Sequence, residues 1–219
     1  MADADSRTGT TYISREVGEW LAQLHAPQDD GLRQAYDAPG VHGIPAIQVG
    51  QSEGKLLTLL MQLIGARRIV EVGTLAGYST ICLARALPAD GQLWTIEVDE
   101  EHAQIAATNI TAAGLGDVVT VLVGDAVQTL ESLDTGGPVD AVFIDADKEN
   151  YPAYGRWARD HVRPGGLRLG DNSALFGRLL SDDDRAAPMQ QFHREAVQAF
   201  DTVNIPTPDG LLLGIRRDA

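Results

Sequence analysis

Five acids stand at or just past the end of an apolar run: Glu71, Glu97, Asp125, Asp145 and Asp171, the last followed by Asn172. Carboxylates repeated at such ends can take a cationic group, accept ribose hydroxyls or ligate a metal ion. Glu71 precedes the loop Gly73-Thr74-Leu75-Ala76-Gly77, whose glycine spacing is G-x-x-x-G. A dinucleotide loop needs G-x-G-x-x-G and a pyrophosphate against a helix N-terminus, and a carboxylate beside it would repel that group. An acid at 71 suits a ligand carrying an ammonium and a sulfonium, which is S-adenosylmethionine. Ser79 can donate a hydrogen bond to the carboxylate of that ligand. Glu97, 24 residues after Gly73, can accept both hydroxyls of a ribose.

Asp145, Asp171 and Asn172 form a second set. Two carboxylates and an amide oxygen suit a hard divalent cation, Mg²⁺ above all. Zinc fits less well, because no Cys or His stands at these positions. Taken singly, each of these acids also reads as a turn or cap residue. The five histidines are scattered with no i, i+4 pair; His42 alone is near enough to the Val49 segment to reach a substrate. Tyr151 and Trp157 read as core or substrate wall, with core favoured. Asp209-Gly210 reads equally as a hairpin turn or as part of the site.

These residues need a scaffold. The N-terminal third reads as helices: Val17, Trp20, Leu21 and Leu24 share one helical face, and Leu56 to Ile64 is a second apolar helix. Asp29 to Gly43, with its Gly, Pro and Asp, is expected to loop or fray. From Arg68 strands and helices alternate. Strands are expected over Arg68 to Val72, Gln92 to Val98, Val118 to Val123, Val139 to Ile144 and Leu167 to Gly170. Helices are expected over Thr80 to Leu87, Glu100 to Ala113, Tyr154 to Val162 and Pro188 to Ala199, with Asp201 to Ile205 and Leu211 to Ile215 as a terminal hairpin. Such alternation makes a parallel sheet with helices on both faces. Ligands of these sheets bind beyond the carboxyl ends of the strands, where the five acids are.

The 219 residues suffice for one α/β domain. The division expected is a disordered leader over 1–10, a helical cap over 11–65 and the α/β core over 66–219. The formal charge of −14 disfavours nucleic acid as a partner. Met1 to Gly9 lacks the order of a signal peptide, and no apolar run approaches a membrane span. The single cysteine, Cys82, lies in an apolar run and reads as buried packing in a cytoplasmic protein.

The segments Ile47-Gln48-Val49-Gly50-Gln51, Glu71-Val72-Gly73-Thr74, Gly77-Tyr78-Ser79, Thr95-Ile96-Glu97, Phe143-Ile144-Asp145-Ala146-Asp147-Lys148 and Asp171-Asn172 resemble the motifs of the cation-dependent O-methyltransferases. That family includes the caffeoyl-CoA and catechol O-methyltransferases, and the resemblance runs in consistent order from about Val41 to Arg216. It implies a Rossmann-like methyltransferase fold, a mostly parallel seven-stranded sheet with an antiparallel last strand. It implies that Val49, Glu71, Gly73, Thr74 and Ser79 contact the methionine part of the cofactor and that Glu97 holds the ribose. Asp125 and Ala126 would border the adenine, and Asp145 would touch both cofactor and metal. Lys148 would be the general base that takes a phenol proton from a vicinal dihydroxy-aromatic acceptor. Family members commonly pair, and the apolar face of the first helix suits a homodimer.

Two alternatives stand beside this reading: an NAD-dependent oxidoreductase, which the glycine spacing and Glu71 oppose, and a member that binds cofactor or a partner protein without turnover. The sequence departs from the family around the acceptor. Thr202-Val203-Asn204-Ile205 carries no acid where the animal catechol enzyme has a glutamate, and Ser173-Ala174-Leu175-Phe176 replaces a bulkier pair. Arg168 interrupts an otherwise apolar central strand.

Overall fold

The computed structural model describes residues 13–218. The leader expected over residues 1–10 lies outside the described residues. Three helices come first: α1 (Arg15–His25), α2 (Asp30–His42) and α3 (Gln51–Leu63). There follow β1 (Arg68–Val72), α4 (Tyr78–Ala84), β2 (Gln92–Glu97), α5 (Glu100–Ala112), β3 (Val119–Val123), α6 (Ala126–Ser132), β4 (Val139–Ile144) and α7 (Tyr151–His161). β5 (Val162–Gly170), α8 (Ala186–Ala199), β6 (Phe200–Ile205) and β7 (Leu211–Arg216) complete the chain. Among the described residues no helix is long and apolar enough to cross a membrane.

The seven strands form one sheet in the order β3-β2-β1-β4-β5-β7-β6. β1 to β5 are parallel, and β7 runs antiparallel between β5 and β6. The expected Rossmann-like sheet with its antiparallel last strand is present. Strands buried on both faces are largely apolar: Ile69 of β1, Ala141 and Phe143 of β4, and Leu167 and Leu169 of β5 pack toward α3, α4 and α5. Val70, Val72, Val142 and Ile144 pack toward α6, α7 and α8. The strand order reverses between β1 and β4, which opens the crevice where ligands of such sheets bind.

Residues 29–43 overturn the expectation of a loop. Asp29 caps α2 by accepting from the Leu32 amide at 3.0 Å, and Gly43 closes it in a left-handed conformation at φ 72°. The residues that read as breakers are thus the helix ends. Pro39 lies inside α2, where Leu32, Ala35, Ala38 and Pro39 are buried, so packing outweighs the intrinsic cost of the proline. β5 begins at Val162, five residues earlier than expected, because Pro164-Gly165-Gly166 occupies an irregularity between the pairs Val139–Val162 and Ala141–Leu167. α4 and α7 begin at Tyr78 and Tyr151, ahead of the expected starts, and α6 was not expected at all. Cys82 is buried, as its apolar setting predicts.

Candidate active site

Ladder hydrogen bonds continue one residue past the strands. The Gly73 amide donates to Ile96 O (3.0 Å), Gly124 to Glu97 O (2.8 Å), Asp145 to Val72 O (2.8 Å) and Asp171 to Ile144 O (2.9 Å). The strand ends are therefore held side by side. Gly73, at φ 96°, leaves no space for a side chain: a Cβ there would lie 2.0 Å from the carbonyl oxygen of Asp145. Glycine at 73 is what lets the chain after β1 approach the chain after β4 this closely without a clash.

Glu71 is fully buried on the face toward α4. Its Oε2 accepts from the Thr80 hydroxyl at 2.5 Å and the Thr95 hydroxyl at 2.7 Å, and Ser79 also faces it. Among the described residues its buried Oε1 has no hydrogen-bond partner. Burial, reinforced by nearby Asp145, pushes its carboxyl up to about 7 against the opposing hydroxyls. A buried acid with an oxygen unused by the described residues can hold an incoming ammonium. Thr80 and Thr95 were not legible as site residues, since their partner lies on another strand or turn.

Glu97 is 8% exposed and ties down the glycine loop: Oε2 accepts from the amides of Thr74 (3.1 Å) and Leu75 (2.8 Å), and Oε1 from Asp99 (3.1 Å). Thr74 is buried, with its hydroxyl 2.6 Å from that of Thr95. Asp125 is exposed and caps α6 by accepting from Gln128 N at 2.9 Å, while Ala126 opens that helix. Val49 is buried in the cluster under α3 and α4.

Around the second set, Asp145 and Asp171 lie close enough to influence each other electrostatically. Lys148 Nζ lies 3.3 Å from Asp145 Oδ1 and donates to the Tyr151 hydroxyl at 2.7 Å. Asp171 is 5% exposed, and its carboxyl is pushed up to about 8 by burial, then by Asp145 and Glu53. Asp145 is raised by burial against the pull of Lys148. Burial also keeps the Tyr151 hydroxyl a phenol, well above its ordinary value. Asn172 adopts a left-handed φ of 50°. Glu53, in the first turn of α3, is an unexpected member: it faces Asp171 and Thr207 and feels Asp145 and Asp209. Its only sequence signal is an acid in a first helical turn, which usually serves the helix dipole.

Asp209 belongs to the same group. Its Oδ1 accepts from Phe176 N at 2.7 Å and its carbonyl from Ala174 N at 2.9 Å, so the β6–β7 turn straps the segment after Asn172. Phe176, at φ 53°, stays 58% exposed there. Among the described residues four carboxyls, Glu53, Asp145, Asp171 and Asp209, thus share surroundings with one ammonium, and Glu53 Oε1 and Asp209 Oδ2 are buried without partners. Among the described residues no three His, Cys, Asp or Glu side chains stand as a ready metal site. The expected trio has only two carboxylates. Still, the oxygen-only donors and surplus negative charge fit a hard divalent cation.

A family described as O-methyltransferase matches residues 26–217. The chain belongs to this family. It is 40% identical to a catechol O-methyltransferase of Niastella koreensis, over 93% of this chain and 97% of that one. Among solved structures it resembles the O-methyltransferase TomG of Streptomyces achromogenes, in complex with SAM, with TM-score 0.86, 35% identity and coverage of 93% and 96%. An O-methyltransferase from Bacillus cereus in complex with SAH is as similar, with TM-score 0.86, 35% identity and coverage of 92% and 97%. The enzyme is an S-adenosylmethionine-dependent O-methyltransferase, and the oxidoreductase alternative is set aside.

Not every residue considered in the sequence joins the site of this O-methyltransferase. His42 lines a cavity of about 340 Å³ between α2 and α5, with Gln34, Ile105 and Asn109, and none of the five acids borders it. Trp157 donates to Leu130 O at 2.9 Å and stacks on His161 at 4.1 Å, a packing role. Arg168 is buried between the rings of Phe192 (4.4 Å) and Phe200 (4.7 Å), with Nε and Nη2 unpartnered among the described residues. Those rings explain how the strand tolerates it.

Proposed function

We propose that the enzyme methylates one hydroxyl of a vicinal dihydroxy-aromatic small molecule held at a divalent cation, Mg²⁺ by preference, by Asp145, Asp171 and Asn172. The observation that carries this reading is the largely buried, oxygen-only cluster around Asp145 and Asp171 with Lys148 beside it. Glu71 takes the ammonium of the cofactor, Ser79 its carboxylate, and Glu97 the ribose, with lone pairs left after its three amide contacts. Val49, Gly73 and Thr74 line the methionine part, and Asp125 and Ala126 border the adenine. Asp145 lies between the two sets, next to Gly73 and Lys148.

When bound, the cation supplies charge that favours the phenolate of the acceptor over its phenol near neutral pH. Lys148 accepts the acceptor proton, with Asp145 orienting its amine. Glu71 and Glu97 fix the donor while Asp171 and Asn172 fix the acceptor, so the gain on this side is proximity and orientation. The catechol O-methyltransferase name of the Niastella relative supports the acceptor class.

Methylation of caffeate, with and without exhaustive EDTA treatment and after Mg²⁺ is restored, tests this. Loss and recovery of activity are expected, and activity unchanged by chelation removes the cation from the mechanism. We also propose a homodimer through α1: it buries no residue, and Val17, Trp20 and Leu24 are exposed on one face. The net charge opposes a nucleic-acid partner, and a lone, buried cysteine suits the cytoplasm.

A further inference from the structure

The chain contains only two lysines, Lys55 and Lys148, beside its many arginines. Lys55 is exposed, whereas the Lys148 side chain is 10% exposed. One buried amine therefore stands in the site, and what fixes its direction matters.

Tyr151, the first residue of α7, is 0% exposed. Its hydroxyl lies 2.9 Å from Asp171 O, 3.2 Å from Ile144 O and 2.7 Å from Lys148 Nζ. A phenol has one proton, and a carbonyl can only accept. The proton is thus committed to the main chain of β4 or the residue after β5, and the hydroxyl offers Lys148 a lone pair. Lys148 must donate to it. Beyond its own carbon the nitrogen has three directions; Tyr151 takes one and Asp145 Oδ1, at 3.3 Å, another. The third is left for the acceptor. The tyrosine cannot swing away, because its ring packs edge-on to Phe192 at 5.1 Å and against Tyr154 at 6.4 Å.

We propose that Tyr151 is a positioning residue for methyl transfer: its buried hydroxyl aims the Lys148 amine at the acceptor and ties it to the main chain of Asp171. The inference rests on the reading of Lys148 as proton acceptor.

The test has two arms. Steady-state kinetics compare Tyr151→Phe, Lys148→Met and the double variant at saturating cofactor and Mg²⁺, with cofactor affinity and thermal midpoint measured alongside. Tyr151→Phe is expected to lower kcat about tenfold with acceptor KM and cofactor Kd within about twofold, and to add nothing on the Lys148→Met background. A loss repeated in full on that background, or one seen only in KM or cofactor affinity, overturns the inference. Undiminished kcat in Lys148→Met overturns the base reading and this inference together. A crippled Lys148→Met with an unaffected Tyr151→Phe overturns this inference alone. The second arm needs no folded tyrosine variant: lysine-selective ¹⁵N labelling of the wild type gives two amine signals, Lys148 being the one missing from Lys148→Met. Its protons are expected to exchange with water far more slowly than those of Lys55, and equal exchange rates would overturn the proposed tie.

Discussion

If Glu71 holds the cofactor ammonium as proposed, cofactor affinity should depend on pH in a direction and size that the structure sets. Its carboxyl, ordinarily near 4.5, titrates at about 7 because it is buried with only hydroxyls around it. The cofactor ammonium needs the ionised form, so binding must first remove a proton. With a pKa of about 7, the apparent Kd at pH 5.5 is about fifteenfold weaker than at pH 7, and at pH 6 about 0.9 proton is released per ligand bound. Staying at or below pH 7 keeps the α-amino group of the ligand protonated, since it titrates near ~7.7–8.0. Isothermal titration in two buffers of different ionisation heat reads both quantities. Glu71→Gln should bind more weakly and lose the slope. An affinity flat between pH 5.5 and 7, or a slope retained in Glu71→Gln, refutes the assignment of Glu71 to the ammonium. Stability carries the same signature. A carboxyl raised on folding contributes fully below its unfolded value, near 4.5, and that contribution is lost as pH rises through about 7. At pH 8 its ionisation costs the ligand-free enzyme roughly 3 kcal/mol. Ligand-free Glu71→Gln should therefore melt above the wild type at pH 8, with no such gain at pH 4.5.

Other perturbations have expected outcomes of their own. Glu53→Gln removes one of the four carboxyls gathered around Asp145 and Asp171 and should weaken Mg²⁺ binding about tenfold by titration calorimetry; an unchanged affinity would take Glu53 out of the field of the cation. Arg168→Met replaces a buried guanidinium lacking partners at Nε and Nη2, and should raise stability to denaturant by about 1–3 kcal/mol; a lower midpoint would mean the stacking on Phe192 and Phe200 outweighs desolvation. Trp20→Asp, on the exposed face of α1, should yield monomers in light scattering, and an undiminished dimer would move the interface elsewhere.

Much of the fold was legible because parallel strands buried on both faces have to be apolar runs. β1 and β4 carry the bounds that their runs predict, and an acid stands at or after the end of each. α2 was not legible: Asp29, Pro39 and Gly43 read as breakers, and only packing of Leu32, Ala35 and Ala38 turns them into a cap, a tolerated interior proline and a terminator. Arg168 had no explanation until Phe192 and Phe200, distant in the chain, closed over it.

The sequence by itself determined which residues could do the chemistry: a carboxylate before a glycine loop, an acid at the end of the second strand, and Asp145, Lys148, Asp171 and Asn172 in order. The tertiary structure decided what each of them is. It brought Glu53 from a cap helix to Asp171, gave Glu71 its threonine hydroxyls, and set Tyr151 between Lys148 and a main-chain carbonyl. Proton affinity and orientation depend on which groups lose water and which partners face them, and both are fixed by contacts between chain segments that local sequence does not encode.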